Sequence, residues 1–225
     1  MLKKIKDNSL IIVVIGKPGS GKGTQAKLLT KEFNLSYFGA GGALRARQGI
    51  KDFTGKKLTN VMEKGKLVPS FVIAEIWLDE MERHKRKKTF KGLVVDGSPR
   101  YLNETRIFMD AMDWYEWEDN LKVILLDISS KESFNRLTKR RQCKDCGRII
   151  PWIGVFKKLK RCDKCQGELF IRVDDKAESI QRRLNEWKNE TMNTVRYFNR
   201  IGKLYRIDGS QNIEDVHEDI LKKLK

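Results

Sequence analysis

No stretch of this 225-residue chain comes near the roughly 20 consecutive apolar residues that a membrane span needs. Its opening residues, Met1-Leu-Lys-Lys-Ile-Lys-Asp-Asn8, have neither the apolar core nor the cleavage site of a secretory signal. A cytoplasmic location is therefore expected. Cysteine is scarce, four residues in all, and in a reducing compartment these need an explanation other than disulfides. Acidic side chains are in deficit: 30 Asp and Glu face 47 Lys and Arg, a formal net charge of +17. That balance favours polyanionic partners such as nucleotides, nucleic acid or an anionic membrane surface, and it is also what a plain solubilising surface gives. No internal repeat and no low-complexity linker divides the chain. Its length suits one domain, residues 1–225, with a full core and room for small insertions.

The chain is organised around Leu10-Ile-Ile-Val-Val-Ile-Gly-Lys-Pro-Gly-Ser-Gly-Lys-Gly-Thr24. Residues 10–15 are apolar, mostly β-branched and without alternation, the pattern of a strand buried on both faces. Gly16, Gly21 and Lys22 then fit G-x-x-x-x-G-K-[ST], with the hydroxyl one position late at Thr24, after Gly23. Ala26, Leu28, Leu29 and Phe33 follow at helical spacing. Glycines let backbone N–H groups turn toward phosphate oxygens, and the helix N-terminus adds unpaired donors and a positive dipole end. Lys22 supplies a point charge for the β and γ phosphates, and Thr24 a hydroxyl for a phosphate oxygen or Mg²⁺.

Further along, residues 35–38 read as a second strand broken by Gly39-Ala-Gly-Gly42, and residues 43–48 as a short helix. An amphipathic piece over 56–64 is stopped by Gly65, and 66–69 is a connector. Ser70 caps a helix over 71–87. Residues 92–96 form a buried strand ending in Asp96, followed by a turn and a helix over 102–112. Trp114, Tyr115 and Trp117 are expected to pack. Residues 121–127 form another buried strand, and Ser130 caps a helix reaching residue 141. A long helix from 174 to 202, a strand at 204–207 and a helix at 213–224 close the chain. Strands alternating with helices imply a parallel sheet covered on both faces.

Between these lie Cys143-x-x-Cys146 and Cys162-x-x-Cys165, pairs 15 residues apart, the spacing of a four-thiolate zinc site. Four protein ligands leave no open position, so the metal would be structural. From residue 131 to 172, 13 Lys and Arg stand against 4 Asp and Glu, a net +9. This module could cover a polyphosphate or act as a nucleic-acid-binding ribbon.

Taken together, these pieces resemble the adenylate kinases, in the form with a zinc-binding lid. The residues that carry the resemblance are the glycine loop from Gly16 to Gln25, Asp96-Gly-Ser-Pro-Arg100, Arg136-Leu-Thr-Lys-Arg140-Arg-Gln-Cys143, Arg172-Val-Asp-Asp175 followed by Arg182-Arg183-Leu184, and Ile207-Asp-Gly-Ser210. The resemblance implies an α/β P-loop fold, three layers around a five-stranded parallel sheet. It also implies an acceptor-binding insertion at 40–68, a lid at 139–175, and transfer of the γ-phosphoryl group of Mg·ATP to AMP, giving two ADP.

Residue by residue, the resemblance assigns the ATP phosphates to Gly19, Ser20, Gly21, Lys22, Gly23 and Thr24. Arg136 would stack on the ATP base, Arg140 would hold phosphate from the lid side, and Gln211 would approach the adenine by its main chain. Arg45 and Arg100 would grip the AMP phosphate, and Arg172 and Arg183 would bridge donor and acceptor. Ala40, Lys66, Leu67, Val68, Gly97, Ser98, Pro99 and Glu104 would complete the AMP site. Asp96 would orient Mg²⁺ through water. The expected partners are ATP and AMP, with no membrane or nucleic acid, and the expected state is a monomer.

Three positions depart from the family pattern. Ala40-Gly41-Gly42 stands where Thr-Gly-Asp is usual, Ser98 where Phe is usual, and Glu104 (or Asn103, if the register slips) where a Gln reads adenine. A carboxylate only accepts hydrogen bonds, which suits the N–H edge of guanine or the amino group alone of adenine or cytosine, and CMP, UMP or GMP as acceptor is the alternative within the class. A nucleic-acid-binding P-loop protein with a zinc ribbon is the reading from another class.

Overall fold

The computed structural model describes residues 9–64, 66–172 and 175–224. The N-terminal octet, the helix stop at Gly65, and Val173 with Asp174 lie outside the described residues.

Five strands form the central parallel sheet. β1 (Leu10–Gly16) is its middle strand, and Ile11 to Ile15 are buried on both faces, as a run without alternation requires. The glycine loop leads into α1 (Lys22–Glu32), then β2 (Ser36–Gly39), α2 (Ala40–Gln48), α3 (Phe53–Glu63) and α4 (Ser70–Lys85). β3 (Gly92–Asp96), α5 (Leu102–Trp114), β4 (Leu121–Asp127) and α6 (Ser130–Thr138) follow. Three short antiparallel strands come next, β5 (Arg141–Cys143), β6 (Ile149–Ile150) and β7 (Leu169–Phe170), ordered β6-β5-β7. α7 (Ala177–Glu186), α8 (Met192–Arg200), β8 (Leu204–Asp208) and α9 (Ile213–Leu224) end the chain.

The parallel sheet runs β2-β3-β1-β4-β8. Successive β1 side chains point to opposite faces, so one strand feeds two cores. Ile11, Val13 and Ile15 pack with Trp77 of α4, Phe108 of α5 and Phe198 of α8. Ile12 and Val14 pack with Ala26 and Leu29 of α1 and with Val216 and Ile220 of α9. The result is the expected three-layer α/β/α arrangement. Among the described residues no helix is long and apolar enough to cross a membrane.

Several local expectations are corrected. The strand does end at Gly39, but the helix expected from residue 43 starts at Ala40, straight off β2, and Gly41 and Gly42 occupy its first turn, where a missing side chain costs least. Ser70 is the first residue of α4 rather than its cap, a place taken by Pro69. The cap of α6 is Ser129, whose hydroxyl accepts the N–H of Glu132 at 3.0 Å. α6 stops at Thr138 because Arg141 pairs with Ile150 as a strand. Trp114 is 79% exposed: the apolar stripe of α5 runs through Phe108, Ala111 and Met112 to Tyr115, and Trp114 falls beside it. The long helix is broken by a π segment at Trp187–Thr191. That segment re-phases the helix, so Ile180 and Leu184 pack on Leu137 of α6 while Val195 and Phe198 join the main core.

Candidate active site

The loops at the carboxyl ends of the parallel strands open into one cavity of about 710 Å³, where ligands of open α/β sheets bind. Its walls come from the glycine loop, from α2 and the 66–68 connector, from the turn after β3, and from the small antiparallel sheet through Arg148, Ile149, Trp152 and Phe156.

The glycine loop is folded for an anion. Gly19 and Gly21 have φ of +79° and +96°, which glycine alone adopts freely. Gly21 caps α1 without a side chain, so no side-chain cap covers the first N–H groups of the helix at the cavity wall. The Ser20 hydroxyl is buried with no partner among the described residues, a polar atom suited to a phosphate oxygen. Lys22 Nζ donates to the carbonyls of Gly16 at 2.8 Å and Lys17 at 2.9 Å. Burial lowers its pKa to about 7; Asp96 opposes this, and Arg100, Arg183 and Arg140 add to it. Three guanidinium groups thus act electrostatically on one ammonium.

Those arginines are held in place by named partners. Asp175, with a fully buried side chain, accepts Arg140 through both oxygens at 2.8 and 2.7 Å and Arg183 at 3.2 Å. Arg100 Nε donates to the Gly97 carbonyl at 2.7 Å, and its backbone N–H donates to Glu104 at 2.8 Å. Replacing Asp175 by alanine leaves two cations facing each other without their anion. Both are partly solvated, so the expected loss is about 2 kcal/mol rather than the full value for a buried pair, read from urea unfolding at pH 7.

On the acceptor side, Ala40, Arg45, Lys66, Leu67, Val68, Gly97, Ser98, Pro99 and Glu104 all line the cavity. Glu104, not the exposed Asn103, faces inward. Its carboxylate accepts the Ser98 hydroxyl and the backbone N–H of Arg100. Burial raises its pKa despite those hydrogen bonds. Two of the positions expected to depart from the family pattern are thus in contact, a hydroxyl beside a carboxylate.

Gly23, Thr24, Asp96, Arg136, Arg172 and Gln211 line the same cavity. Arg136 donates by its edge to the carbonyls of Gly209 at 2.9 Å and Ser210 at 3.1 Å, and to Glu132 at 2.6 Å. The Gln211 amide donates to Asp219 at 3.0 Å. Every residue expected from the sequence to touch nucleotide is therefore in one cavity. Asp175 and Tyr37 were not among them. Asp175 stands inside the quoted lid-exit motif, but only the fold shows that it joins two arginines.

The four cysteines lie beside the antiparallel sheet, Cys143 at the end of β5 and the other three in adjoining turns and loop, with all four sulfurs within 4.8 Å of one another. Cys143 and Cys165 are 3.4 Å apart and Cys146 and Cys162 3.6 Å, too long for disulfides. Sulfurs at the usual ~2.3 Å from a tetrahedral Zn²⁺ lie about 3.8 Å from each other, so the donor set fits that ion.

Comparison with known proteins decides the family. The adenylate kinase family model matches residues 14–203. An adenylate kinase of Archaeoglobus fulgidus is 35% identical over 221 residues, covering 95% of this chain and 99% of that protein. One of Caldanaerobacter subterraneus subsp. tengcongensis is 36% identical over 216 residues, covering 95% of each. One of Thermodesulfovibrio yellowstonii is 33% identical over 213 residues, covering 93% and 96%.

The chain belongs to the adenylate kinase family. As a member it is a nucleotide-binding phosphotransferase. The nucleic-acid-binding reading is not favoured by these likenesses.

Proposed function

We propose that the chain transfers the γ-phosphoryl group of Mg·ATP to AMP, giving two ADP. One observation carries this reading: Lys22 of the glycine loop shares a cavity, and an electrostatic neighbourhood, with Arg100, Arg140 and Arg183. Phosphoryl transfer asks for charge neutralisation and in-line positioning more than for a base, and such a ring supplies both. The loop from Gly19 to Thr24 holds the ATP phosphates, Arg45 and Arg100 the AMP phosphate, and Arg140, Arg172 and Arg183 the travelling group. Arg136, held by its edge, presents its flat face to the ATP base, with the Gln211 main chain alongside. Glu104 accepts the exocyclic amino group of AMP, and Ala40, Lys66, Leu67 and Val68 close around that base.

Mg²⁺, held through water by Asp96 and by the Thr24 hydroxyl, would draw charge from the phosphates. Zn²⁺ on Cys143, Cys146, Cys162 and Cys165 would keep residues 139–175 folded as a lid, and residues 40–68 would move as the acceptor-binding part. Closure of the two excludes water from the transferring group. We further read the protein as a cytoplasmic monomer that acts on free nucleotides and not on nucleic acid.

The low pKa of Lys22 has a consequence for binding. With its pKa at about 7, Lys22 is expected to be largely the neutral amine at pH 8 before ATP arrives, and the negative phosphates would favour the ammonium. Mg·ATP binding should then take up close to one proton at pH 8 and almost none at pH 6. Calorimetry in buffers of different ionisation enthalpy reads this, and Lys22→Met should abolish the difference.

The direct test is ADP formation from ATP with each of AMP, CMP, UMP and GMP. AMP should be turned over fastest, and Lys22→Ala should remove the signal. If AMP is no better than the others, the acceptor assignment fails. If Lys22→Ala stays active, the site assignment fails.

A further inference from the structure

We propose that Tyr37 is a positioning residue for Asp96, and that glycine at position 39 is what allows it to act. The inference rests on the reading above, in which Asp96 faces Mg·ATP. β2 runs beside β3 with Gly39 opposite Asp96 and Tyr37 opposite Val94. Residues two apart on a strand share a face, so the Tyr37 ring passes over Gly39. A Cβ built at Gly39 would lie 2.5 Å from the Tyr37 hydroxyl and 2.9 Å from the ring carbon bearing it, so any side chain there would have to push the ring aside. The backbone does not ask for glycine there: φ is −116°, open to any residue. The ring's volume, and not the chain's conformation, demands the missing side chain.

The ring laid in that gap places its hydroxyl 3.0 Å from Asp96 Oδ2, to which it donates. The same oxygen stands 3.0 Å from where a Cβ of Gly23 would be, against the first turn of α1. Asp96 is the last residue of its strand, where a short carboxylate can swing about two bonds. A phenol O–H directed at Oδ2 fixes the rotation of the carboxylate, with that oxygen held against the first turn of α1 and the charge of Asp96 acting on Lys22. Tyr37 lines the cavity and also senses the charge of Arg45, so its ring stands between the donor and acceptor halves of the site. A tyrosine packed only for its apolar ring would not need its hydroxyl end over a glycine and against a carboxylate.

The test compares ATP affinity with and without Mg²⁺, by calorimetry in buffer free of added chelator, alongside steady-state kinetics. In Tyr37→Phe, which keeps the ring, the advantage of Mg·ATP over metal-free ATP should shrink about fivefold to tenfold. The affinity for metal-free ATP and the KM for AMP should stay within twofold, and kcat should fall about tenfold. Gly39→Ser should reproduce this in the wild-type background and add little to Tyr37→Ala, because the two positions share one space. An unchanged Mg·ATP advantage in Tyr37→Phe would overturn the proposal, as would independent, additive effects of Gly39→Ser and Tyr37→Ala. Asp96→Asn separates the two levels. If it shrinks the advantage while Tyr37→Phe does not, only the role of Tyr37 fails; if Asp96→Asn changes nothing, the reading of Asp96 fails and takes this inference with it.

Discussion

Replacing Arg140 or Arg183 by methionine should lower kcat by about 10²–10³-fold, with KM for either nucleotide moving much less. The reason is geometric. Both guanidinium groups hang on the buried Asp175 carboxylate, and both act on Lys22 across the cavity. Charge that develops on the transferring group would be met by donors already fixed in place, and removing one removes transition-state stabilisation more than binding. Since Asp175 serves both, the double variant should lose less than the product of the single losses. Steady-state kinetics with ATP and AMP decide this, with circular dichroism showing that each variant is folded. A loss confined to KM would mean that these arginines only bind substrate.

The second large effect concerns the cysteines. Cys162→Ser, or removal of the metal by a chelator, should melt the antiparallel sheet of residues 141–170 while leaving the parallel sheet intact. In residues 141–170 only Cys143, Ile150, Cys162 and Gly167 are buried, far too little apolar surface to offset the entropy of ordering the segment. A four-thiolate metal contributes on the order of 10 kcal/mol in small metallo-domains, enough to decide whether such a segment folds. Hydrogen exchange should show residues 141–170 losing protection and β1 keeping it, with activity down at least tenfold. Protection retained throughout the sheet after complete removal of metal would show that the thiolates are not what holds it.

Much of the fold is legible in the sequence because its signals are local. The β-branched run at 10–15 and the strands at 92–96 and 121–127 are written in short, mainly apolar runs, and they appear where that pattern puts them. The glycine loop needs only order and spacing. What escaped depends on neighbours distant in the chain. Gly41 and Gly42 read as breakers until a strand end and a following helix place them in a first turn. The break at Trp187–Thr191 has no local mark; it answers to two cores that the helix must face in different phases. The union of Arg140, Arg183 and Asp175 spans 43 positions and exists only once α6 and α7 lie side by side. Tyr37 passed as an ordinary strand residue, since nothing in Leu35-Ser-Tyr-Phe38 says that Gly39 will lie under its ring.

The whole account depends on guanidinium groups converging on the group that travels between two nucleotides. A crystal structure with ATP and AMP analogues bound together would test it most directly. The account predicts the side chains of Arg100, Arg140 and Arg183 within hydrogen-bond reach, about 2.7–3.2 Å, of phosphate oxygens on either side of the transfer path. A structure with both nucleotides seated and those three side chains turned to solvent or to other partners would contradict it.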